Sequence, residues 1–217
     1  MHICIEGVLL NQKSVLLVAN GEILVKEYLA LLYHKCDYII AVDGGARHLF
    51  NIGKTPDYVI GDMDSEVHLE TGDNSIKEVI LNSQLETDLV KALNWCNDKG
   101  FKSIELIGVE GGRSDHILGI YASIVEANIS SKMKIHLHDF VVHILNQSES
   151  ISLQVPVGKI ISLFALVNCS GVYITGTKWE LNDAELDFAT TGIHNQSMSG
   201  QIDTKISKGK LAIFVQR

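Results

Sequence analysis

Cysteine is scarce in this chain and never paired in sequence. Cys4, Cys36, Cys96 and Cys169 are scattered with no C-x-x-C spacing, which argues against a disulfide framework or a zinc site and for small buried thiols. Basic runs are also missing. The 18 Lys and Arg residues are dispersed and the formal net charge is −8, so a nucleic-acid groove is not expected. No apolar run approaches membrane-spanning length. The first residues are apolar, but they lack a basic start and include Glu6, a poor match to a signal peptide. Repeats and low-complexity linkers are absent too. The expectation is a cytoplasmic globular protein that binds neither nucleic acid nor membrane.

What is present is an ordinary soluble composition, 46% hydrophobic and 20% charged over 217 residues, enough for one large domain or two small ones. Buried strands are expected at 15–19, 38–42, 58–60, 76–81 and 103–109, each a short apolar run closed by turn residues. Between them, helical spacing recurs at 25–33, 46–52, 85–96 and 117–127. A last apolar strand at 132–138 closes the series. Strands alternating with helices imply parallel β-α-β units in a doubly wound sheet. Beyond about residue 140 the texture changes to short alternating stretches (151–155, 160–167, 172–175 and 211–215) separated by Gly and Asn, as in an antiparallel sandwich. The fold expected is α/β, with an N-terminal doubly wound, mostly parallel domain (1–140) followed by a C-terminal antiparallel β-sandwich domain (141–217).

The string Gly61-Asp62-Met63-Asp64-Ser65 is the most informative in the chain. It follows the strand ending at Ile60, and residues two apart in extended chain share a side, roughly 6.5–7 Å apart. Asp62 and Asp64 can thus aim two carboxylates at one point, while Gly61 lets the backbone turn and a ligand approach. Convergent carboxylates repel unless a cation sits between them, and hard oxygen donors suit Mg²⁺ carrying phosphates. An Asp-rich surface turn is the plainer alternative.

Ligands of open parallel sheets bind beyond the carboxyl ends of the strands, and every expected end here carries small or polar residues. They are Asn20-Gly21, Asp43-Gly44-Gly45, Gly61-Asp62-Met63-Asp64, Thr87-Asp88, and Gly111-Gly112-Arg113-Ser114-Asp115-His116. Asp43-Gly44-Gly45 pairs a carboxylate with glycines at a helix start, a place for phosphate or simply a tight turn. Ser83-x-x-Glu86 fits a capping box, so Glu86 reads as a cap. Asp88 is either a ligand or merely stabilised by the helix dipole. Arg113 offers a planar fork suited to phosphate oxygens. His136 and His138 alternate on one strand face and His143 follows after a break; with no third ligand identifiable for a metal, they read as a solvent-facing strand edge.

Taken in order, Asp43-Gly44-Gly45-Ala46, Gly61-Asp62-Met63-Asp64-Ser65, Thr87-Asp88 with Lys91-Ala92-Leu93, and Gly111-Gly112-Arg113-Ser114-Asp115-His116 resemble the signature of the thiamine pyrophosphokinase family. Gly176-Thr177-Lys178-Trp179-Glu180-Leu181 and Gly192-Ile193-His194-Asn195 extend the resemblance into the second half. It implies a nucleotide domain plus a thiamine-binding sandwich. It further implies a homodimer with shared sites, and a reaction in which ATP gives its diphosphate to thiamine with Mg²⁺, releasing AMP.

Under that resemblance Asp43, Asp62, Asp64 and Asp88 are the catalytic carboxylates, and Asp62, Asp64 and Asp88 hold the metal. Asn20, Gly44, Gly45, Thr87, Gly112, Arg113, Ser114, Asp115 and His116 would meet the nucleotide. Gln84, Trp179, His194 and Asn195 would meet thiamine, with Trp179 stacking on the cationic ring unless it belongs to the sandwich core. Departures from the family pattern are Arg47, Leu85 and His194, where Asn, an acidic residue and Ser are usual. Two rival readings are a Mg²⁺-dependent nucleotide phosphohydrolase and a catalytically silent thiamine- or nucleotide-binding protein.

Overall fold

Two units make up the chain, Met1–Ser131 and Lys132–Arg217, each with its own core. The computed structural model describes residues 13–23, 25–61, 76–81, 85–127 and 129–217. Asp62, Asp64 and Gln84 therefore lie outside the described residues.

In the first unit the elements run β1 (Ser14–Val18), α1 (Lys26–Lys35), β2 (Tyr38–Val42), α2 (Ala46–Phe50), β3 (Tyr58–Gly61), β4 (Lys77–Ile80), α3 (Asp88–Lys99), β5 (Ser103–Ile107) and α4 (Ser114–Glu126). The strands lie in the order β4-β3-β2-β1-β5, and each neighbouring pair is parallel. Apolar runs such as Val15-Leu16-Leu17-Val18 are buried on both faces, as a sheet covered on two sides requires. Leu16, Val18, Ile39, Ala41 and Val59 share one cluster with Leu29 and Leu32 of α1 and Ala46 and Leu49 of α2. The alternate residues Val15, Leu17, Ile40, Val42 and Ile60 are equally buried and point to the other face. There α3 packs against β2 and β3. The expected doubly wound layout is what forms.

One boundary differs from expectation. Helix α3 starts at Asp88, capped by the Thr87 hydroxyl, which accepts from the Val90 N–H at 3.3 Å; it ends on Gly100 in the left-handed region, φ 71°. The helix thus begins two residues after Glu86, and Ser83, the other half of the expected capping box, lies outside the described residues. Thr87 is the better cap because it stands immediately before the first buried apolar residues of the helix, and Glu86 instead accepts from the Asn94 amide at 3.2 Å.

The second unit contains β6 (Lys132–His136), β7 (Phe140–Asn146), β8 (Ser150–Gln154), β9 (Ile160–Thr175), β10 (Leu181–Leu186), β11 (Asn195–Gln196), β12 (Gln201–Lys205) and β13 (Lys208–Gln216). They lie in the order β6-β7-β13-β9-β12-β8 with every pairing antiparallel, and β10 and β11 also pair with β9. The stretches expected as separate strands at 160–167 and 172–175 are one strand of 16 residues. It changes partners along its length, from β13 to β12 and β10, with register shifts near Lys210. Gly171, at φ 63°, supplies the irregularity that reads as a break in sequence. Val155, Ile161, Leu163, Val172, Ile174, Ile202, Leu211 and Ile213 fill the core inside. Of the three histidines expected at a solvent-facing edge, His138 is exposed, whereas His136 and His143 are buried, so the expectation fails for those two.

Backbone crowding is tightest at Gly45. A Cβ on Gly45 would stand 1.9 Å from the Val18 carbonyl oxygen, whereas one on Gly112 would meet nothing within 4 Å. Gly45→Ala is expected to forfeit folded protein or most of its thermal stability. Gly112→Ala should cost only about 1–2 kcal/mol, the penalty of holding a side chain at positive φ. Urea titration of the two variants checks the contrast, and equal losses would contradict it.

Candidate active site

The carboxyl ends of the parallel strands are joined into a row by close backbone contacts. Register pairs Val42 with Ile60, which brings the next residues together. A Cβ built on Gly61 would lie 3.5 Å from the Asp43 Cα. Asp43 itself has φ 50°, an uncommon conformation for a residue with a side chain, and opens a short 3-10 turn through Gly45. The side-chain amide of Asn20 lies directly on Gly44, where a Cβ would come within 2.5 Å of it. Gly21 donates to the Gly108 carbonyl at 2.6 Å and Glu22 to the Glu110 carbonyl at 2.7 Å, which ties the β1 exit to the β5 exit. Asn20, Asp43, Gly44 and Gly45 are therefore brought together beside Gly61, the first residue of the Gly61-Asp62-Met63-Asp64 string.

After β5 the chain passes Gly111 and Gly112, both at positive φ, 76° and 70°, and enters α4 at Ser114. Arg113 precedes the helix and grips Asp115 with two bonds, Nε to Oδ1 at 3.1 Å and Nη2 to Oδ2 at 2.8 Å. Hydrogen bonding to Arg113 draws the Asp115 carboxyl below its ordinary range, and the same bond raises the guanidinium. Both side chains are exposed, as are Gly112, Ser114 and His116. Asp115 thus aims Arg113, and the loop stands open to a ligand.

Thr87 spends its hydroxyl on the α3 cap and on a 3.3 Å contact with Ser123 of α4, so it links two helices. Asp88 follows in the first turn, where the helix dipole favours its charge. Its Oδ1 accepts from the Lys91 ammonium at 2.9 Å, and the Lys91 side chain is only 5% exposed. A lysine this buried needs its partner. Sequence reading assigns Lys91 no role; its place three residues after Asp88 on one helix face is the available signal. His48 is missed as well. Its imidazole bonds the Gly21 backbone, and its Nε2 is buried with no partner among the described residues. Burial holds this group below its ordinary pKa, with the Gly21 bond opposing.

Asp43 and Asp88 are hard carboxylate donors of the kind that suit Mg²⁺. Among the described residues no three His, Cys, Asp or Glu side chains form a metal-holding group, and the other expected ligands, Asp62 and Asp64, lie outside them. Leu85, where an acidic residue was the expected pattern, is 96% exposed.

In the second unit Trp179 is 56% exposed, so the alternative that places it in the sandwich core is excluded. Asn195 is buried, and its amide is fully engaged within the protein. Its Oδ1 accepts from the N–H groups of Trp179 and Gln196, at 3.1 and 2.8 Å. Its Nδ2 donates to the Trp179 carbonyl at 2.6 Å and the Thr177 hydroxyl at 3.2 Å. Expected to meet a ligand, Asn195 instead clamps the backbone on both sides of Trp179. His194 is exposed at φ 62°, and its N–H donates to the Ser162 hydroxyl at 3.1 Å.

Comparison with known proteins points one way. The profile of "Thiamin pyrophosphokinase, catalytic domain" matches residues 29–137, and that of "Thiamin pyrophosphokinase, vitamin B1 binding domain" matches 142–211. A curated relative, the thiamine pyrophosphokinase of Bacillus subtilis (strain 168), is 32% identical over 109 residues, spanning 48% of this chain and 50% of the relative. The aligned segment thus covers half the length of that relative. Among solved structures, a thiamin pyrophosphokinase from Geobacillus thermodenitrificans superposes with TM-score 0.77 at 20% identity, covering 94% of this chain and 97% of the other. One from Candida albicans gives 0.74 at 18% identity over 96% and 90%. At these identities the structural likeness speaks to the fold.

The Asp88–Lys91 pair yields an asymmetric expectation. Removing the carboxylate strands a buried ammonium, so Asp88→Ala should lose about 3 kcal/mol of unfolding free energy. Lys91→Met should lose clearly less, because the Asp88 side chain keeps 26% of its surface in water and retains the dipole. Chemical denaturation of both variants decides it; a larger loss in Lys91→Met would refute the assignment of Lys91 as the dependent partner.

Proposed function

This chain belongs to the thiamin pyrophosphokinase family, and from that premise we propose that it moves the diphosphate of ATP onto the hydroxyl of thiamine, giving thiamine diphosphate and AMP. The observation that carries the reading is the unbroken row of loop contacts at the carboxyl edge of the parallel sheet. It runs from Glu110 and Gly108 through Gly21 and from Asn20 through Gly44 to Asp43 and Gly61. That edge is where open α/β sheets take their ligands.

In the proposed reaction the thiamine hydroxyl oxygen bonds to the β-phosphorus. The bond from that phosphorus to the oxygen bridging the α-phosphate breaks, AMP departs with that oxygen, and the hydroxyl proton passes to one carboxylate among Asp43, Asp62, Asp64 and Asp88. Transfer of this kind rests mainly on positioning and charge neutralisation. Arg113, already aimed by Asp115, is assigned to the phosphate oxygens, with the Gly44, Gly45 and Gly112 backbone N–H groups beside them. Asn20, Ser114 and His116 line the same edge. The donor chemistry fits Mg²⁺: all the assigned ligands, Asp62, Asp64 and Asp88, are carboxylates, and Asp88 already draws a cation to itself. When bound, the metal would offset the charge of the phosphates.

Trp179 is assigned as the platform for the cationic thiazolium or the pyrimidine. Its exposure and its doubly clamped backbone support this. Gln84 and His194 complete the proposed thiamine contacts, while Asn195 acts through Trp179. We further propose a cytoplasmic homodimer in which the nucleotide unit of one copy and the thiamine unit of another share a site.

Incubation with ATP, Mg²⁺ and thiamine should yield AMP and thiamine diphosphate in equal amounts, with turnover abolished by chelation and largely lost in Asp64→Asn. ADP with thiamine monophosphate would refute attack at the β-phosphorus. Nucleotide turnover without thiamine would favour a phosphohydrolase, and no turnover at all would favour a silent binder.

Trp179→Ala should lower kcat/KM for thiamine roughly 2- to 30-fold, the range of a lost cation–π contact, and leave ATP use intact. Because the indole is exposed, unfolding free energy should move by no more than about 0.5 kcal/mol. Unchanged thiamine kinetics would place the platform elsewhere.

A further inference from the structure

The indole of Trp179 already carries a cation. The Lys178 ammonium lies 4.6 Å from its ring centroid, within the distance at which the ring quadrupole attracts positive charge. The arrangement has little backbone freedom. Thr177 pairs with Ser197, the Lys178 N–H donates to the Gln196 carbonyl at 2.9 Å, and Asn195 holds Trp179 on both sides. The Thr177 hydroxyl adds a bond to the Trp179 carbonyl at 3.1 Å. The nearest carboxylate in sequence, Glu180, is turned back to the Gly176 N–H at 2.7 Å. Both Lys178 and Trp179 are exposed, so the contact can open without disturbing the core.

We propose that Lys178 is an internal competitor for the Trp179 platform, occupying it in the free protein and setting the affinity for a cationic aromatic ligand. The inference rests on the thiamine reading for the identity of that ligand, but the competition itself follows from the geometry. An incoming thiazolium must either displace the ammonium from the ring face or stack on the opposite face within its repulsive field. Either route subtracts from binding. A neutral aromatic ring avoids the repulsion, so Lys178 narrows the advantage of cationic over neutral rings.

The chain has two tryptophans, so a Trp95→Phe background makes Trp179 the sole indole reporter. In that background, Lys178→Met keeps the side-chain length and removes the charge. Thiamine titrated by fluorescence quenching should bind roughly two- to five-fold tighter in the Lys178→Met protein, the equivalent of an exposed cation–π contact. Lys178→Arg should bind as the parent does. Quenching by the simple cation N-methylnicotinamide should rise likewise, while quenching by neutral acrylamide should not.

Equal or weaker binding of both thiamine and N-methylnicotinamide in Lys178→Met overturns the proposal. If thiamine fails to bind any variant while N-methylnicotinamide still gains, the thiamine reading falls and the competition stands. Should Trp95→Phe not fold, calorimetric titration of Lys178→Met against the unaltered chain separates the same outcomes.

Discussion

Close approach of backbone to backbone at the strand ends is the constraint on which the nucleotide unit depends. Gly45 sits against the Val18 carbonyl, Gly21 against the carbonyls of Gly108 and Glu110, and Gly108 against that of Ala19. None of these positions has room for a methyl group. By drawing the loops inside side-chain distance, the glycines leave the carboxyl edge lined by main chain. Among the described residues there, the Asn20 amide lies directly on Gly44 and the Asp43 backbone beside Gly61. A site for phosphate transfer works through fixed positions more than through reactive groups, and glycine contacts fix position at the level of the backbone itself.

Much of this is readable in the sequence, for identifiable reasons. Fully apolar strands such as Tyr38-Ile39-Ile40-Ala41-Val42 with helical spacing on either side imply parallel pairing, whereas the order of the strands comes only from the structure. The sandwich is harder. The long strand β9 looks like two because Asn168, Ser170 and Gly171 interrupt its apolar run, yet hydrogen bonding to β13, β10 and β12 carries it through. Tertiary pairing overrides a local signal there. At the start of α3 the sequence offers a capping box around Glu86, yet the cap is Thr87, which stands directly before the buried Leu89 and Val90.

The site residues divide differently. Identity is legible from motif order, whereas role depends on partners that sequence does not display. Asn195 is the clearest case. A polar residue in a suggestive segment reads as a ligand contact, but its hydrogen bonds within its own unit make it a support for Trp179. The roles of Lys91 and His48 are hidden for the opposite reason. A lysine on a helix and a histidine beside Arg47 look like solvated surface until burial is known, and only then does each become a tether, one to Asp88 and one to the Gly21 backbone.

The cations near the proposed ligands share a property that bears on how binding must proceed. Arg113 is paired with Asp115, Lys91 with Asp88, and Lys178 with the Trp179 ring, so a ligand exchanges contacts instead of simply adding them. Burial sets how readily each exchange occurs. The Arg113–Asp115 pair is largely exposed and worth little by itself, so a phosphate can take the guanidinium at small cost while Asp115 keeps it aimed. Lys178 holds only a modest contact with an exposed ring, which a ligand on that face can displace. Lys91 is enclosed, and separating it from Asp88 would strand a charge away from water, so it stays in place. The gradient from exposed to buried therefore separates groups that can change partner during a reaction cycle from the one that holds its partner throughout.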